Sequence, residues 1–408
     1  ENSNNQNHFR FLLAAGLSLV VFLVWSYFFA PKPPADQGNS NTNTAVSTAA
    51  TPTPATPSPT PQAEQAQALP DTSPARTVTV KTDLYEVKLD SRGALATSWI
   101  LLKNTDGKNE TPIYADGSTE NDKKPLQLIS EKALQQTPRD IPFRLITPDA
   151  ALTETLNSRN YQISAAEDTI TVGRGEEKQI EFTMTDGAGT EVKKVFTFRG
   201  DSFIQDLAVN VSKNGTVVPD VKLLIGASIG DHAINHHNFY HIESEAVAAV
   251  DGDIRRHQGY YSFKYEGGNP ARLNEEGTVD WAGVGDAYFA MVAIPARPVQ
   301  GVEYSSFKYD VETQPFYDSI FKWVIRSPKT SETRHLVTAY VPIDANGSVT
   351  RIYTGTKDYF LLNSLTEPLS NTVGRSVELV DLINFSNYWF LRWMTRPLSI
   401  PILHALSF

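Results

Sequence analysis

Apolar and polar residues alternate along most of this chain. From Thr77, in TVTVKTDLYEVKLDSRGALATSWILL, Val78 and Val80 alternate with polar neighbours, and Tyr85, Val87 and Leu89 repeat the pattern. A period of two marks a strand with one buried face, and Ser91-Arg92-Gly93 supplies a turn. The same grammar returns in KKVFTFRGDSFIQDLAVNVSKNG, VEYSSFKYDVET and RHLVTAYVPID. Turn dipeptides punctuate it at Asp106-Gly107, Asp116-Gly117, Asp186-Gly187, Asn214-Gly215, Asp251-Gly252 and Asn346-Gly347. Between Arg76 and about Pro342 no stretch sustains the i, i+3, i+4, i+7 pattern of a helix. The expected fold class is therefore all-β, a large antiparallel sandwich over 76–376, and the lack of a fixed-period repeat weighs against a propeller.

Two stretches break this rhythm. Phe11 to Ala30 reads FLLAAGLSLVVFLVWSYFFA without a charge, and twenty residues of helix at about 1.5 Å each span a bilayer's hydrocarbon core. Its exit carries Trp25, Tyr27, Phe28 and Phe29 rather than the small residues of a cleavage site, so 11–30 is expected to be an uncleaved anchor with aromatic rings at the interface. Residues 1–10 then form a short cytoplasmic tail. At the other end, SVELVDLINFSNYWFLRWMTRPLSIPILHALSF places Leu379, Leu382, Ile383, Trp389, Phe390, Trp393 and Met394 on one helical face. Two Trp, a Tyr and two Arg within Tyr388 to Arg396 suit a membrane interface. We expect amphipathic interfacial helices over 377–408, with Trp389, Arg392, Trp393 and Arg396 as lipid contacts.

Composition sharpens the organisation. Residues 31–75 hold ten prolines and no aromatic residue; such sequence cannot bury enough apolar surface to offset its ordering entropy, and reads as a disordered tether. The formal net charge of −10 argues against a nucleic-acid partner. There is no cysteine, which removes disulfides, thiolate metal sites and thiol catalysis together.

Candidate chemistry is sparse. DHAINHHNFYHIESE sets His232, His236, His237 and His241 close to Glu243; such a group could share a metal or do acid–base sugar chemistry, but without a helical frame a hydrogen-bonded loop is the simpler reading. Arg199-Gly200-Asp201 sits between two alternating runs and reads as a turn. Glu176-Glu177 and Glu275-Glu276 adjoin glycine and read as solvated turns. Gly283-Val284-Gly285 is explained as the approach to an aromatic strand, Tyr288 to Ile294, and no phosphate loop or nucleotide fingerprint is present. No cofactor and no catalytic residue are expected.

The order of parts, together with VKTDLYEVKLDSRGALATSWIL, FTFRGDSFIQDLAVNV, GVGDAYFAMVAIP and YWFLRWMTRPLSIPIL, resembles the N-terminal portion of the YidC membrane protein insertases of bacteria. That resemblance implies a periplasmic β-supersandwich similar in architecture to galactose mutarotase-like folds, beside a five-helix membrane core that would begin beyond Phe408. It implies a protein of the bacterial inner membrane that assists insertion and folding of nascent membrane proteins, alone or with the Sec translocon. It also implies that the groove and Arg receiving the substrate lie outside this sequence. The competing reading is a membrane-tethered carbohydrate-binding or mutarotase-like β-sandwich.

Overall fold

The computed structural model describes residues 73–105, 110–115, 118–226, 244–313 and 330–384, all within one compact unit, 64–408. The expected anchor at 11–30 and tether at 31–75, apart from its last three residues, lie outside them. No helix among the described residues is long and apolar enough to cross a membrane.

The alternation seen in the sequence becomes burial. Strand β1 (Thr77–Lys81) buries Val78 and Val80, and β2 (Tyr85–Asp90) buries Tyr85, Val87 and Leu89. The turn at Ser91–Ala94 leads into β3 (Leu95–Leu101), and β4 (Leu126–Gln127) extends that edge. Next come helix α1 (Glu131–Leu134), β5 (Leu145–Ile146), helix α2 (Ala150–Ser158), β6 (Gln162–Ile163) and β7 (Thr169–Thr171). Long strands follow as β8 (Glu177–Thr185), β9 (Thr190–Arg199) and β10 (Ile204–Lys213), then the short β11 (Thr216–Val217) and β12 (Lys222–Ile225). After residue 243 the chain forms β13 (Glu245–Val250), β14 (Asp253–Gln258), β15 (Ala271–Gly285), β16 (Phe289–Ile294), β17 (Val299–Thr313), β18 (Thr330–Pro342) and β19 (Asn346–Thr356). Helix α3 (Tyr359–Val373) and a 3-10 turn, Leu379–Leu382, complete it.

A five-stranded sheet runs β4-β3-β2-β1-β7, and a fourteen-stranded sheet follows the path β5-β12-β18-β17-β15-β16-β19-β10-β9-β8-β6, with β11, β13 and β14 attached to it. Among the described residues every strand ladder is antiparallel except β1 with β7, which is parallel. The large sheet folds back on itself along β15. Residues Ala271–Val279 of β15 pair with β17, whereas Ala282–Gly285 pair with β16. Glu275 lies ten residues from Gly285, about 34 Å in a straight strand. Yet His257, whose neighbour Gln258 pairs with Glu245 and through it with Gly285, places Nε2 2.7 Å from Glu275 Oε2. Register shifts between Glu275 and Thr278, and between Ala249 and Val250, mark the bend; bulges of this kind turn corners in sandwiches.

The all-β expectation is thus right for the bulk of the domain and needs correction at its helices. Helix α2 rests on Leu152 and Leu156, one turn apart, with Asp149 as N-cap accepting from Ala151 N and Leu152 N. It is too short for a periodic pattern to stand out. Helix α3 falls within 76–376, the stretch expected to be β-sandwich throughout.

Between the small sheet and β8–β10 lies an aromatic core: Trp99 against Phe143 at 6.3 Å, Phe143 against Phe196 at 5.1 Å and Phe196 against Phe182 at 5.6 Å between ring centroids. Inside it sits a lysine. Lys194 of β9 is fully buried, and its Nζ donates to Gly93 O at 2.6 Å and Phe143 O at 2.8 Å, with Ala94 O at 3.5 Å. Those three carbonyls belong to residues with positive φ, at 74° for Gly93, 50° for Ala94 and 75° for Phe143. Burial pulls the ammonium down to about 7.

Candidate functional site

Two charged clusters, at Arg375 and at Glu245, hold the C-terminal path of the described chain against the sheet. That path begins at α3. Asp358 caps it, its carboxylate accepting from Leu361 N at 2.8 Å, and Leu361, Leu362 and Leu369 are buried. Pro368 removes one backbone donor, and Ser364 donates its hydroxyl to Leu361 O at 2.7 Å in that turn. Gly374, in the left-handed region at φ 70°, ends the helix.

The next residue is a clamp. Arg375 donates from Nε to Asp280 Oδ1 at 3.1 Å, from one terminal nitrogen to Asp280 O at 2.9 Å and Pro295 O at 2.8 Å, and from the other to Ala296 O at 3.1 Å. One guanidinium therefore fixes the chain to β15 and to the segment between β16 and β17, using the planar fork that suits Arg and not Lys. Val377, Leu379 and Leu382 follow, each fully buried. The expected helical face through Leu379, Leu382 and Ile383 is, in this part, a single 3-10 turn packed into the core, with Ile383 extended.

A second clamp closes the return path. Glu245, at the start of β13, accepts at Oε1 from Arg256 at 2.6 Å and from Lys357 at 3.0 Å. The other terminal nitrogen of Arg256 donates to Asp381 O. One carboxylate thus holds two cations, and one of those holds the exiting backbone. Burial pushes the Lys357 ammonium down while Glu245 pulls it up, so the pair is kept by geometry and hydrogen bonding against a desolvation cost. Gly285 makes room: a Cβ there would meet Lys357 Cε at 3.0 Å and Phe289 O at 2.7 Å. This explains Gly283-Val284-Gly285 as the end of β15 itself. The arrangement holds and orients; it presents no nucleophile beside a base.

The sequence-derived candidates fare unevenly. Trp25, Tyr27, Trp389, Arg392, Trp393 and Arg396 lie outside the described residues, as do His232, His236, His237, His241 and Glu243. Arg199 ends β9 and Gly200-Asp201 turn the chain into β10, with Arg199 ion-paired to Glu177 and Asp206. The solvated-turn reading of the Glu pairs is corrected: Glu177 belongs to β8, and Glu275 and Glu276 to β15, where Glu275 engages His257. Glu245, Arg256, Lys357 and Arg375 went unremarked. Asp358 before an apolar run and Gly374 before Arg375 were the available signals, a cap at each end of an unrecognised helix.

The family model described as the YidC periplasmic domain matches residues 77–400. Among curated proteins, the membrane protein insertase YidC of Pelobacter propionicus is 26% identical over 98% of this chain and 62% of its own length. That of Chlorobaculum tepidum is 21% identical over 81% of this chain and 48% of its own. The chain spans about half the length of the curated relatives it matches. Among solved structures, a putative aldose 1-epimerase of Escherichia coli aligns over 69% of this chain and 99% of its own, at 8% identity and a TM-score of 0.32, too distant to argue from. The match over residues 77–400, carried through the strands and the clamped C-terminal path described above, shows that the chain belongs to the YidC periplasmic domain family.

Proposed function

We propose that this chain is the anchor, tether and periplasmic domain of a bacterial membrane protein insertase, and that its β-supersandwich of mutarotase-like architecture serves as an accessory to a membrane core rather than as an enzyme. The observation that carries the reading is the double clamp at Arg375 and Arg256, which fixes the chain just before the aromatic sequence Tyr388 to Arg396. On this reading 11–30 retains the protein in the inner membrane and the tether leaves that helix mechanically uncoupled. The amphipathic sequence over 377–408, through Trp389, Arg392, Trp393 and Arg396, returns the chain to the same bilayer. The partners are lipid, nascent membrane proteins and, from the family resemblance, the Sec translocon. The carbohydrate reading is not favoured, since the relatives are named insertases.

The test is insertion of a single-span substrate into vesicles carrying the full-length protein. Substrate becomes protease-protected with the protein and stays exposed without it, and Trp389→Ala with Trp393→Ala lowers the protected fraction. Protection that does not depend on the protein contradicts the insertase reading; protection unchanged by the double substitution contradicts the interfacial role of the two tryptophans.

A further inference from the structure

The two ends of the sandwich differ in chemistry. At one end the connections are tight polar turns: Asn214-Gly215, with φ 53° and 76°, and Asp251-Gly252, with φ 52° and 84°, which suit two-residue hairpins. At the other end the connections carry exposed aromatic rings. Gln258 pairs with Glu245, Glu245 with Gly285, Gly285 with Ala290, and Phe289 with Thr356. Strands β14, β13, β15, β16 and β19 therefore finish side by side, across about 20 Å at the usual spacing. The turns that leave this edge hold Tyr260, Tyr261 and Tyr288, and the first turn of α3 holds Phe360, exposed by 63%, 78%, 60% and 48% respectively. These are the four most exposed large hydrophobic residues among those described.

The exit path ends at the same place. Helix α3 starts beside Tyr288, where Lys357 N donates to Tyr288 O at 2.6 Å, and runs to the clamp at Asp280 and Pro295. The following residues come back, so that Asp381 meets Arg256, the residue that also grips Glu245 at the aromatic end. Four residues beyond Asn384 the sequence YWFLRW begins. Lys264 is exposed next to the Tyr pair, and Lys308 Nζ lies 5.0 Å above the Tyr265 ring.

We propose that this end of the domain faces the membrane and that Tyr260, Tyr261, Tyr288 and Phe360 rest in the headgroup layer of the bilayer that the exiting chain joins. Tyrosine has the amphipathic ring that settles at that depth, and lysine beside it favours anionic lipid. A cluster of exposed rings of this kind calls for a partner, and the position of the C-terminal path selects lipid over a soluble protein. The inference rests on the membrane-protein reading above.

The absence of cysteine makes the test direct. Ser262→Cys, beside the Tyr pair, and Thr216→Cys, on β11 at the opposite end, each take one fluorophore in the full chain reconstituted into phosphatidylcholine–phosphatidylglycerol vesicles. Headgroup-attached nitroxide quenches the label at 262 several-fold more than the label at 216, and Tyr260→Ser with Tyr261→Ser brings 262 toward the control. Equal quenching at both positions, in chain that floats with the vesicles, overturns the inference alone. Failure to float removes the membrane-protein reading and the inference with it. Shielding at 262 that appears only when a second protein is added assigns the surface to a protein and also overturns it.

Discussion

Lys194 shows how a single side chain can set a pH response. Its ammonium has three carbonyl acceptors and the Tyr161 ring at 5.7 Å, with no carboxylate partner among the described residues, and burial lowers it from 10.5 to about 7. Between those values the unfolded chain binds a proton that the folded chain does not, so stability rises with pH across this window and is lowest below about 7. One group contributes a slope of at most about 1.4 kcal/mol per pH unit. Denaturant unfolding of the wild type and Lys194→Met at pH 7 and pH 9 should show the rise in the former and a smaller one in the latter; equal slopes would contradict the assignment. Glu245 is the converse case, a carboxylate shared by two cations. Glu245→Ala removes the hydrogen-bonded carboxylate from the buried Lys357 and the ion pair from the half-buried Arg256 and should lower unfolding stability by about 3 kcal/mol, read in the same experiment. Neither residue was legible from sequence, because Lys194 binds partners 51 to 101 positions away and Lys357 lies 112 from Glu245. Local pattern carries no trace of such pairings.

At the scale of elements, what could be read was what is local. Strands β1 and β2 announce themselves by alternation because one face of each meets the core, and Asn214-Gly215 and Asp251-Gly252 do so because their backbone needs positive φ. Helix α3 was obscured by Pro368 and by Ser, Asn and Thr at weakly helical positions, although Leu361, Leu365 and Leu369 are spaced four apart. Its formation is decided by packing on the sheet rather than by propensity. The fold-back at β15 was also hidden, since a bulge inside a fifteen-residue strand alters no period that a short window can detect. Gly374 offers a check at this scale. A Cβ at φ 70° is strained, so Gly374→Ala should cost about 1 kcal/mol in thermal or denaturant unfolding. A neutral substitution would mean the helix end is not held in that conformation.

For the whole molecule, the motifs in the sequence pointed to the family that the match over 77–400 shows, while the structure adds how the residues after α3 are held to the sheet. On the proposed reading the chain has two connections of opposite character. By that reading, 31–75 is a tether whose span runs from roughly 35 Å as a coil to well over 100 Å if extended, whereas α3 and the residues after it are bound to the sheet by two arginines and a row of buried apolar side chains. The domain is then positioned from its C-terminal side and only retained from its N-terminal side. Backbone hydrogen exchange in the full chain tests this most directly. Amides of Val377, Ile383 and neighbouring residues, bonded to Ser370 Oγ and Val380 O respectively, should be protected to nearly the same degree as those of β15 and β16, and Arg375→Ala should release them selectively. Exchange at 377–383 as fast as in an unstructured peptide, with β15 and β16 still protected, would contradict it.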